Sequence, residues 1–154
     1  MNIPRIKMEE IMRQVVQEVD IAIKEGNSPF SAFLLDMDGN ILFKEHNTVN
    51  SDMDPTAHAE INLIRKACKE LQTKDLSNYV LISNAWSCSM CMSASIKAKI
   101  QNYIFGAKSE STMNPNVTVF DIQRKTNNNL NIITDVLEKE CTWQIEMARN
   151  SKNT

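Results

Sequence analysis

The sequence predicts an α/β fold, and two observations support this prediction. Apolar residues recur at the three- and four-residue spacing of amphipathic helices, and short runs rich in β-branched and aromatic residues lie between these stretches. The chain has 154 residues, of which 42% are hydrophobic, so a full hydrophobic core can form. We therefore expect one α/β domain over residues 1–154.

The first elements should be a helix near residues 8–25 and a β-hairpin. An apolar stripe indicates the helix, and Gly26 ends it. Strands over 30–35 and 41–44 flank Asp38-Gly39, a pair that favours a tight reversal of the chain. These two strands should pair antiparallel.

The middle of the chain predicts a helix followed by a strand, a helix and a strand. A polar loop over 47–56 leads to a helix near 57–71, and strands over 79–82 and 103–105 enclose another helix near 89–99. A βαβ unit gives parallel strands whose carboxyl ends meet helix amino ends. That edge of an open α/β sheet is the usual place for a ligand site.

The pattern is weaker in the last third of the chain. It predicts a loop over 108–117, a turn over 127–129, a strand over 130–134 and a final helix over 136–148. These elements continue the alternation of strands and helices.

Charge and terminal composition narrow the classes of function. Lys and Arg number 17 against 19 Asp and Glu, a net charge of −2, so the chain lacks the basic excess of a protein that neutralises many phosphates. A small ligand is favoured over nucleic acid. The N-terminus has no apolar signal-peptide run, and no stretch approaches the roughly twenty apolar residues of a membrane span. We therefore expect a cytoplasmic protein with no membrane partner.

The chain has four cysteines, Cys68, Cys88, Cys91 and Cys141. Two disulfides are possible from the number alone, and a Cys-x-x-Cys pair can also be a redox pair or two core thiols. In a chain that is not exported and has a histidine nearby, such a pair is more often metal-binding or redox-active. Cys68 and Cys141 should be buried thiols.

His58, Cys88 and Cys91 are the candidate metal ligands. One imidazole and two thiolates suit zinc, and three ligands leave the fourth position for water, which indicates a catalytic site. The two cysteines, three residues apart, would project from one side of a helix start, where the thiolate form is favoured. Glu60 is close enough in the chain to act as general acid and base on that water without binding the metal. The predicted cofactor is Zn²⁺.

The segment from Asp54 to Ile61, taken with the cysteine pair, resembles the cytidine-deaminase-like superfamily. The resemblance is closest to bacterial guanine deaminases and tRNA adenosine deaminases. It implies a three-layer α/β/α fold with a central five-stranded mixed sheet, a bound zinc ion and usually a homodimer. It also implies a hydrolytic deaminase in which Glu60 transfers protons from water to the ring nitrogen and the leaving ammonia.

The resemblance also implies residues that bind the substrate. Residues 28–32 resemble the Pro-Phe-Gly-Ala segment beside the family's base pocket, and Asn47 matches the asparagine that contacts the bound base. Asp121 matches an aspartate after the fourth strand in relatives, although aspartate also caps helices. The full set of candidates is Phe30, Asn47, Ala59, Trp86 and Asp121.

The chain departs from the family before its first zinc cysteine and at its end. Where the family reads Glu-Pro, this chain has Trp86-Ser87, so the turn should be looser and a large flat ring should lie near the pocket. Trp86 would stack on substrate or pack in a dimer interface. The tail lacks the paired phenylalanines of the tRNA enzyme and the terminal aromatic residue of guanine deaminases.

We therefore predict a zinc hydrolase that deaminates a small amino-heterocycle, a purine nucleobase with guanine as first candidate. A tRNA-specific adenosine deaminase is the alternative, disfavoured by the charge and the missing tail. A non-catalytic, zinc-stabilised module is the other alternative, and the presence of Glu60 argues against it. We expect a small-molecule substrate, a homodimer and no nucleic-acid partner.

Overall fold

The computed structural model of the protein describes residues 1–109, 113–127 and 129–152. That part of the chain forms six helices and five strands. In chain order they are α1 (Arg5–Lys24), β1 (Ser31–Leu35), β2 (Ile41–His46), α2 (Val49–Asp52), α3 (Ala59–Leu71), β3 (Val80–Ala85), α4 (Ser89–Lys97), β4 (Asn102–Ala107), α5 (Val119–Lys125), β5 (Asn131–Ile133) and α6 (Glu138–Lys152).

The strands form one sheet in the order β2-β1-β3-β4-β5. β1 pairs antiparallel with β2 and β3, and β4 pairs parallel with β3 and β5. The predicted five-stranded mixed sheet is therefore confirmed. So are the antiparallel hairpin of β1 and β2 and the parallel unit of β3, α4 and β4.

Helices cover both faces of the sheet and complete the predicted three-layer arrangement. α1 and α6 pack on one face, whereas α3 and α4 pack on the other, with α5 against α4. Successive strand side chains point to opposite faces, so Phe33 and Leu35 join the core under α1 while Ala32 and Leu34 join the core under α3. β1 and β3 are buried along their whole length because both faces are covered.

Gly106 lets α6 lie close to the sheet. A Cβ atom at this position would lie 2.6 Å from Cys141 Sγ on α6 and 2.7 Å from the Asn84 carbonyl oxygen on β3. Both distances are shorter than van der Waals contact, so any side chain at residue 106 would push the helix outward. The close fit of α6 on β4 therefore depends on a residue without a side chain.

Several element boundaries differ from the prediction by a few residues, and two of the differences have local reasons. α1 starts at Arg5, directly after its N-cap Pro4. Proline has no backbone N–H, and at the start of a helix this loses no helical hydrogen bond. β3 continues to Ala85 although Asn84 is polar and buried. The Asn84 side chain accepts a hydrogen bond from the Ser31 backbone N–H and donates one to the Pro29 carbonyl, so its burial leaves no polar atom unpaired.

Two short helices are missing from the prediction. α2 lies inside the segment predicted as a polar loop, and α5 follows the predicted loop over 108–117. Each has fewer than two full turns, too few for an apolar period to be visible. α5 begins with a capping box in which Thr118 and Asp121 exchange side-chain to backbone hydrogen bonds.

The end of the chain follows the predicted order of strand and helix. The strand predicted over 130–134 corresponds to β5, and the final helix corresponds to α6, which starts and ends later than predicted. The predicted loop over 108–117 and the predicted turn over 127–129 include residues 110–112 and 128, which lie outside the described residues.

All four cysteines are free thiols, so the two disulfides possible from their number do not form. Cys141 is buried as predicted, whereas Cys68 is only half-buried against the core under α3. In the described ranges, no helix combines the length and the apolar character needed to cross a bilayer.

Candidate active site

The starts of α3 and α4 meet near the carboxyl end of β3. His58 is the N-cap of α3 and Cys88 is the N-cap of α4, both with extended backbone angles. β3 ends at Ala85, so the chain passes from the sheet to Cys88 within three residues. His58 was expected in the first turn of its helix and instead immediately precedes it. The site lies where the βαβ pattern predicted it.

The side chains of His58, Cys88 and Cys91 converge on one point. His58 Nδ1 lies 3.6 Å from Cys88 Sγ and 3.4 Å from Cys91 Sγ, and the three ligand atoms all lie within 4.8 Å of one another. A tetrahedral zinc ion with bonds of ~2.3 Å to sulfur and ~2.0 Å to nitrogen separates such atoms by roughly 3.5 Å. The three side chains therefore fit zinc, and they supply one ligand fewer than a closed structural site has.

The electrostatics of this cluster favour a thiolate at Cys88. A hydrogen bond from the Cys91 thiol lowers the pKa of Cys88 to about 4, and His58 adds to that effect. The same contact, with burial and the charge of Glu60, raises the pKa of Cys91. The hydrogen bond with Cys88 raises the pKa of His58. Zinc binds cysteine as thiolate and histidine as neutral imidazole, so its binding to these three side chains would release protons.

Glu60 is buried in the first turn of α3, beside the metal ligands. Its carboxylate Oε1 accepts a hydrogen bond of 2.8 Å from the Ser87 hydroxyl. Burial nevertheless raises the pKa of Glu60 above its ordinary value of 4.5. A carboxyl group that is held in place and carries a raised pKa is suited to accept a proton and to return it.

A cavity of about 350 Å³ opens onto His58, Cys88 and Glu60. Phe30, Asn47 and Trp86, three of the predicted substrate contacts, line it. Its volume falls at the lower end of the range of about 300–1,000 Å³ that is typical of small-molecule sites. The cavity thus combines two aromatic side chains with a polar end that contains the candidate catalytic groups.

Asn47 presents a hydrogen-bond donor to this cavity. Its carboxamide oxygen accepts a hydrogen bond of 3.1 Å from the Val49 backbone N–H, and its backbone N–H donates to the Phe30 carbonyl across 2.9 Å. The amide nitrogen has no partner among the described residues. These contacts hold the side chain in one orientation and leave its NH₂ group available to a ligand.

Trp86 is buried within this chain rather than displayed on its surface. The residue is 9% exposed, and its ring makes an edge contact with Phe120, with centroids 5.2 Å apart. The Lys108 ammonium lies 5.7 Å from the ring centroid, and the buried indole N–H finds no acceptor in the described part of the chain. Little of the ring is therefore free for a dimer interface, and the side that lines the cavity can contact a ligand.

Two predicted substrate contacts lie away from the cavity. Asp121 was predicted from an aspartate in relatives, but its carboxylate accepts hydrogen bonds from the backbone N–H and hydroxyl of Thr118 and pairs with Arg124. Asp121 therefore caps α5 and lines a separate surface depression. Ala59 is fully buried in the core under α3 and is not among the residues that line the cavity.

The sequence reasoning missed two features of the site. Ser87 was interpreted only as loosening a turn, whereas its hydroxyl bonds to a residue 27 positions earlier. Arg149 also lines the cavity, whereas the sequence-based interpretation of the C-terminal segment concerned only the aromatic residues that it lacks. Neither contact can be inferred from local spacing. The one sequence signal for the contact between Ser87 and Glu60 was the hydroxyl group at residue 87, which can donate a hydrogen bond.

Comparison with known proteins identifies the family. Residues 5–107 match the model described as the cytidine and deoxycytidylate deaminase zinc-binding region. The chain is 32% identical over 139 residues to the tRNA-specific adenosine deaminase of Haemophilus influenzae, covering 89% of this chain and 80% of that protein. It is 38% identical over 80 residues to the guanine deaminase of Bacillus subtilis, covering 52% and 51%.

Solved deaminase structures have the same fold as this chain. A structure from a study of A-to-I editing by tRNA:A34 deaminases has a TM-score of 0.77 and 26% identity, covering 86% of this chain and 96% of that one. A guanine deaminase from Nitrosomonas europaea has a TM-score of 0.80 and 21% identity, covering 96% and 85%. At that identity the second likeness concerns the fold alone.

Proposed function

The chain belongs to the cytidine and deoxycytidylate deaminase family of zinc-dependent hydrolases, and we propose that it deaminates a small amino-heterocycle with guanine as the first candidate ring. The observation that supports this proposal is the cavity. Its volume of about 350 Å³ suits one planar ring, Phe30 and Trp86 line it, and the metal ligands lie at one end.

We assign the binding and orientation of the ring to Phe30, Trp86 and Asn47. Aromatic side chains favour contact with a flat heterocycle. The Asn47 amide nitrogen, which has no partner in the described part of the chain, can donate hydrogen bonds to acceptors on the ring edge. A ring so held would point its amino-bearing carbon at the end of the cavity where Glu60 and the ligands lie.

We assign the metal to His58, Cys88 and Cys91 and the proton transfers to Glu60. When bound, zinc supplies Lewis-acid activation of the water that attacks the ring carbon. Glu60 takes one proton from that water and gives it to the ring nitrogen. The second proton of the water passes through Glu60 to the amino group, and the C–N bond breaks to release ammonia and leave a carbonyl on the ring. Ser87 holds the carboxylate during these transfers.

Deamination of adenosine in tRNA is the second candidate. It is favoured by the 32% identity to the tRNA-specific adenosine deaminase of Haemophilus influenzae, which extends over most of both proteins. The net charge of −2 argues for the small substrate, because binding to structured RNA draws on many basic side chains. The homodimer and the cytoplasmic location expected from the sequence stay predictions.

The first experiment is an ammonia-release screen of zinc-loaded protein against purines, pyrimidines, pterins, triazines and a tRNA anticodon stem-loop. We expect turnover of guanine or a closely related ring. The control is Glu60→Gln, which should retain about one zinc per chain while losing at least about a hundredfold in turnover, the usual contribution of general acid–base catalysis. Efficient deamination of the stem-loop with no turnover of any free base or nucleoside would select the second candidate.

A further inference from the structure

Arg149 places a positive charge at the wall of the substrate cavity. It lies on α6, is half-buried, and lines the cavity together with Phe30 and Trp86. Its guanidinium carbon is 5.8 Å from the centroid of the Phe30 ring. A cation over the face of an aromatic ring keeps its N–H groups available at the ring edges, so Phe30 can contact a substrate while Arg149 binds a second group of the same molecule.

The Arg149 guanidinium has no anionic partner among the described residues. The ion pairs among the described residues are formed by other cations. The side-chain interaction that Arg149 makes with them is its contact with the Phe30 ring. A guanidinium presents five N–H donors in a fork that matches carboxylate and phosphate oxygens. A half-buried guanidinium whose donors have no acceptor among the described residues can therefore bind such an anion.

A second, smaller cavity adjoins the first at this arginine. Its volume is about 110 Å³, and it shares Phe30, Ser109 and Arg149 with the main cavity. Its other charged lining residues in the described part of the chain are Lys108 and Glu146. The main cavity has Glu60 as its acidic group there, at the metal end. Among the described residues, Arg149 is the cation that lines both cavities.

We infer that the heterocycle deaminated by this protein carries an anionic substituent, a phosphate or a carboxylate, that occupies the smaller cavity and is bound by Arg149. This inference rests on the proposed function and names its substrate class. The main cavity binds the ring, whereas Arg149 makes the site selective for a charged derivative over the neutral base. A pocket of this size suits one ionic group, and a polynucleotide would instead need a groove of several basic residues.

The test compares guanine, guanosine 5′-monophosphate and N9-carboxymethylguanine as substrates. We expect kcat/KM for one of the anionic compounds to exceed that for guanine, and the two anionic compounds distinguish phosphate from carboxylate. Arg149→Gln should lower kcat/KM for the preferred anion at least tenfold more than for guanine, chiefly through KM. Glu146→Gln should act in the opposite direction and raise kcat/KM for the anion, because it removes a carboxylate that lines the smaller cavity.

The matched control is Lys139→Gln, which removes the same charge from an exposed position on the same helix and should leave the preference unchanged. If guanine turns over and Arg149→Gln lowers kcat/KM for guanine and for the anions equally, the inference is overturned and the proposed deaminase activity stands. If the protein deaminates only RNA, and Arg149→Gln lowers only that activity, the inference that the substrate is a small anionic heterocycle is rejected.

A binding assay keeps the inference testable without turnover. The Glu60→Gln protein should bind guanosine 5′-monophosphate or the carboxymethyl analogue more tightly than guanine, and adding Arg149→Gln should weaken binding of the anion at least tenfold. Equal affinity with and without Arg149 would reject the anion site even if no compound released ammonia. Failure of the deaminase proposal would appear separately, as an absence of ammonia in every arm of the substrate screen.

Discussion

Ser87 connects the chain's departure from its family to the catalytic carboxylate. The family has proline here, which offers no hydrogen-bond donor, whereas the buried Ser87 hydroxyl donates to Glu60 across 2.8 Å. A hydrogen bond to a charged group contributes about 1.5–3 kcal/mol, and leaving a buried carboxylate short of a donor costs a comparable amount. Ser87 is thus a positioning residue for Glu60.

We expect Ser87→Ala to lower kcat about tenfold, which corresponds to ~1.4 kcal/mol of lost transition-state stabilisation. Zinc content and KM should change little, because the metal ligands and the ring contacts are untouched. Ser87→Thr retains the hydroxyl and should restore most of kcat. Steady-state kinetics with metal analysis measure all of these. An unchanged kcat in Ser87→Ala, or a loss that Ser87→Thr does not rescue, would contradict the role.

The parts of the site predicted from the sequence are those that local spacing defines. His58 with Glu60, and Cys88 with Cys91, lie within one helical turn of each other, so their types and intervals already indicate a metal and its proton carrier. Arg149 was missed because tertiary packing brings it to residues far away in the chain. Asp121 was predicted as a substrate contact because a capping aspartate looks the same as a binding one in a sequence, whereas the structure places it in the capping box of α5.

His46 joins α1 to the edge strand β2. Its Nδ1 lies 2.9 Å from Glu18 Oε1, and its Nε2 lies 2.8 Å from Glu25 Oε2. Burial works against the charged imidazolium, but the hydrogen bonds to the two carboxylates outweigh it and raise the pKa of His46 above 6.5. The protonated ring therefore ties two elements together, as a histidine with both nitrogens bonded to carboxylates should.

The stabilisation from His46 should depend on pH in a defined direction. Because its pKa is higher in the folded state, the contribution is fully present below about 6.5 and is lost as pH rises through the folded value. The melting temperature of the native chain should exceed that of His46→Gln by more at pH 5.5 than at pH 8.5. Glu10→Gln, at an exposed position on α1, serves as the control. A difference that grows with pH would refute this assignment.

The long elements were predictable and the short ones were not. α1 and α3 have enough turns to show an apolar stripe, and the strands of the hairpin flank a recognisable turn. α2 and α5 depend on tertiary contacts and end caps instead of a period. The last three residues of β3 were missed because they include the polar Ser83 and Asn84, and the Asn84 side chain is hydrogen-bonded inside the protein rather than solvated.

The molecule's charge sets how its turnover should respond to salt. With a net charge of −2 and one arginine assigned to a substrate anion, few ion contacts form on binding. Plotted as log kcat/KM against log salt concentration, the slope for an anionic substrate should be no steeper than about −1, whereas a protein that contacts 6–10 phosphates of a duplex has a slope of roughly −5 to −9. Neutral guanine, as control, should give a slope near zero. A steep slope would favour RNA as the substrate.

The bare backbone at Gly106 has a consequence for substrate choice. Cys141, which rests against it, and Arg149 lie on the same helix, eight residues or roughly 12 Å apart along its axis. α6 therefore connects the close contact at Gly106 to the arginine at the cavity wall. A methyl group at residue 106 would push α6 away from the sheet and move the guanidinium relative to Phe30, so a buried substitution that contacts no ligand should change substrate selectivity.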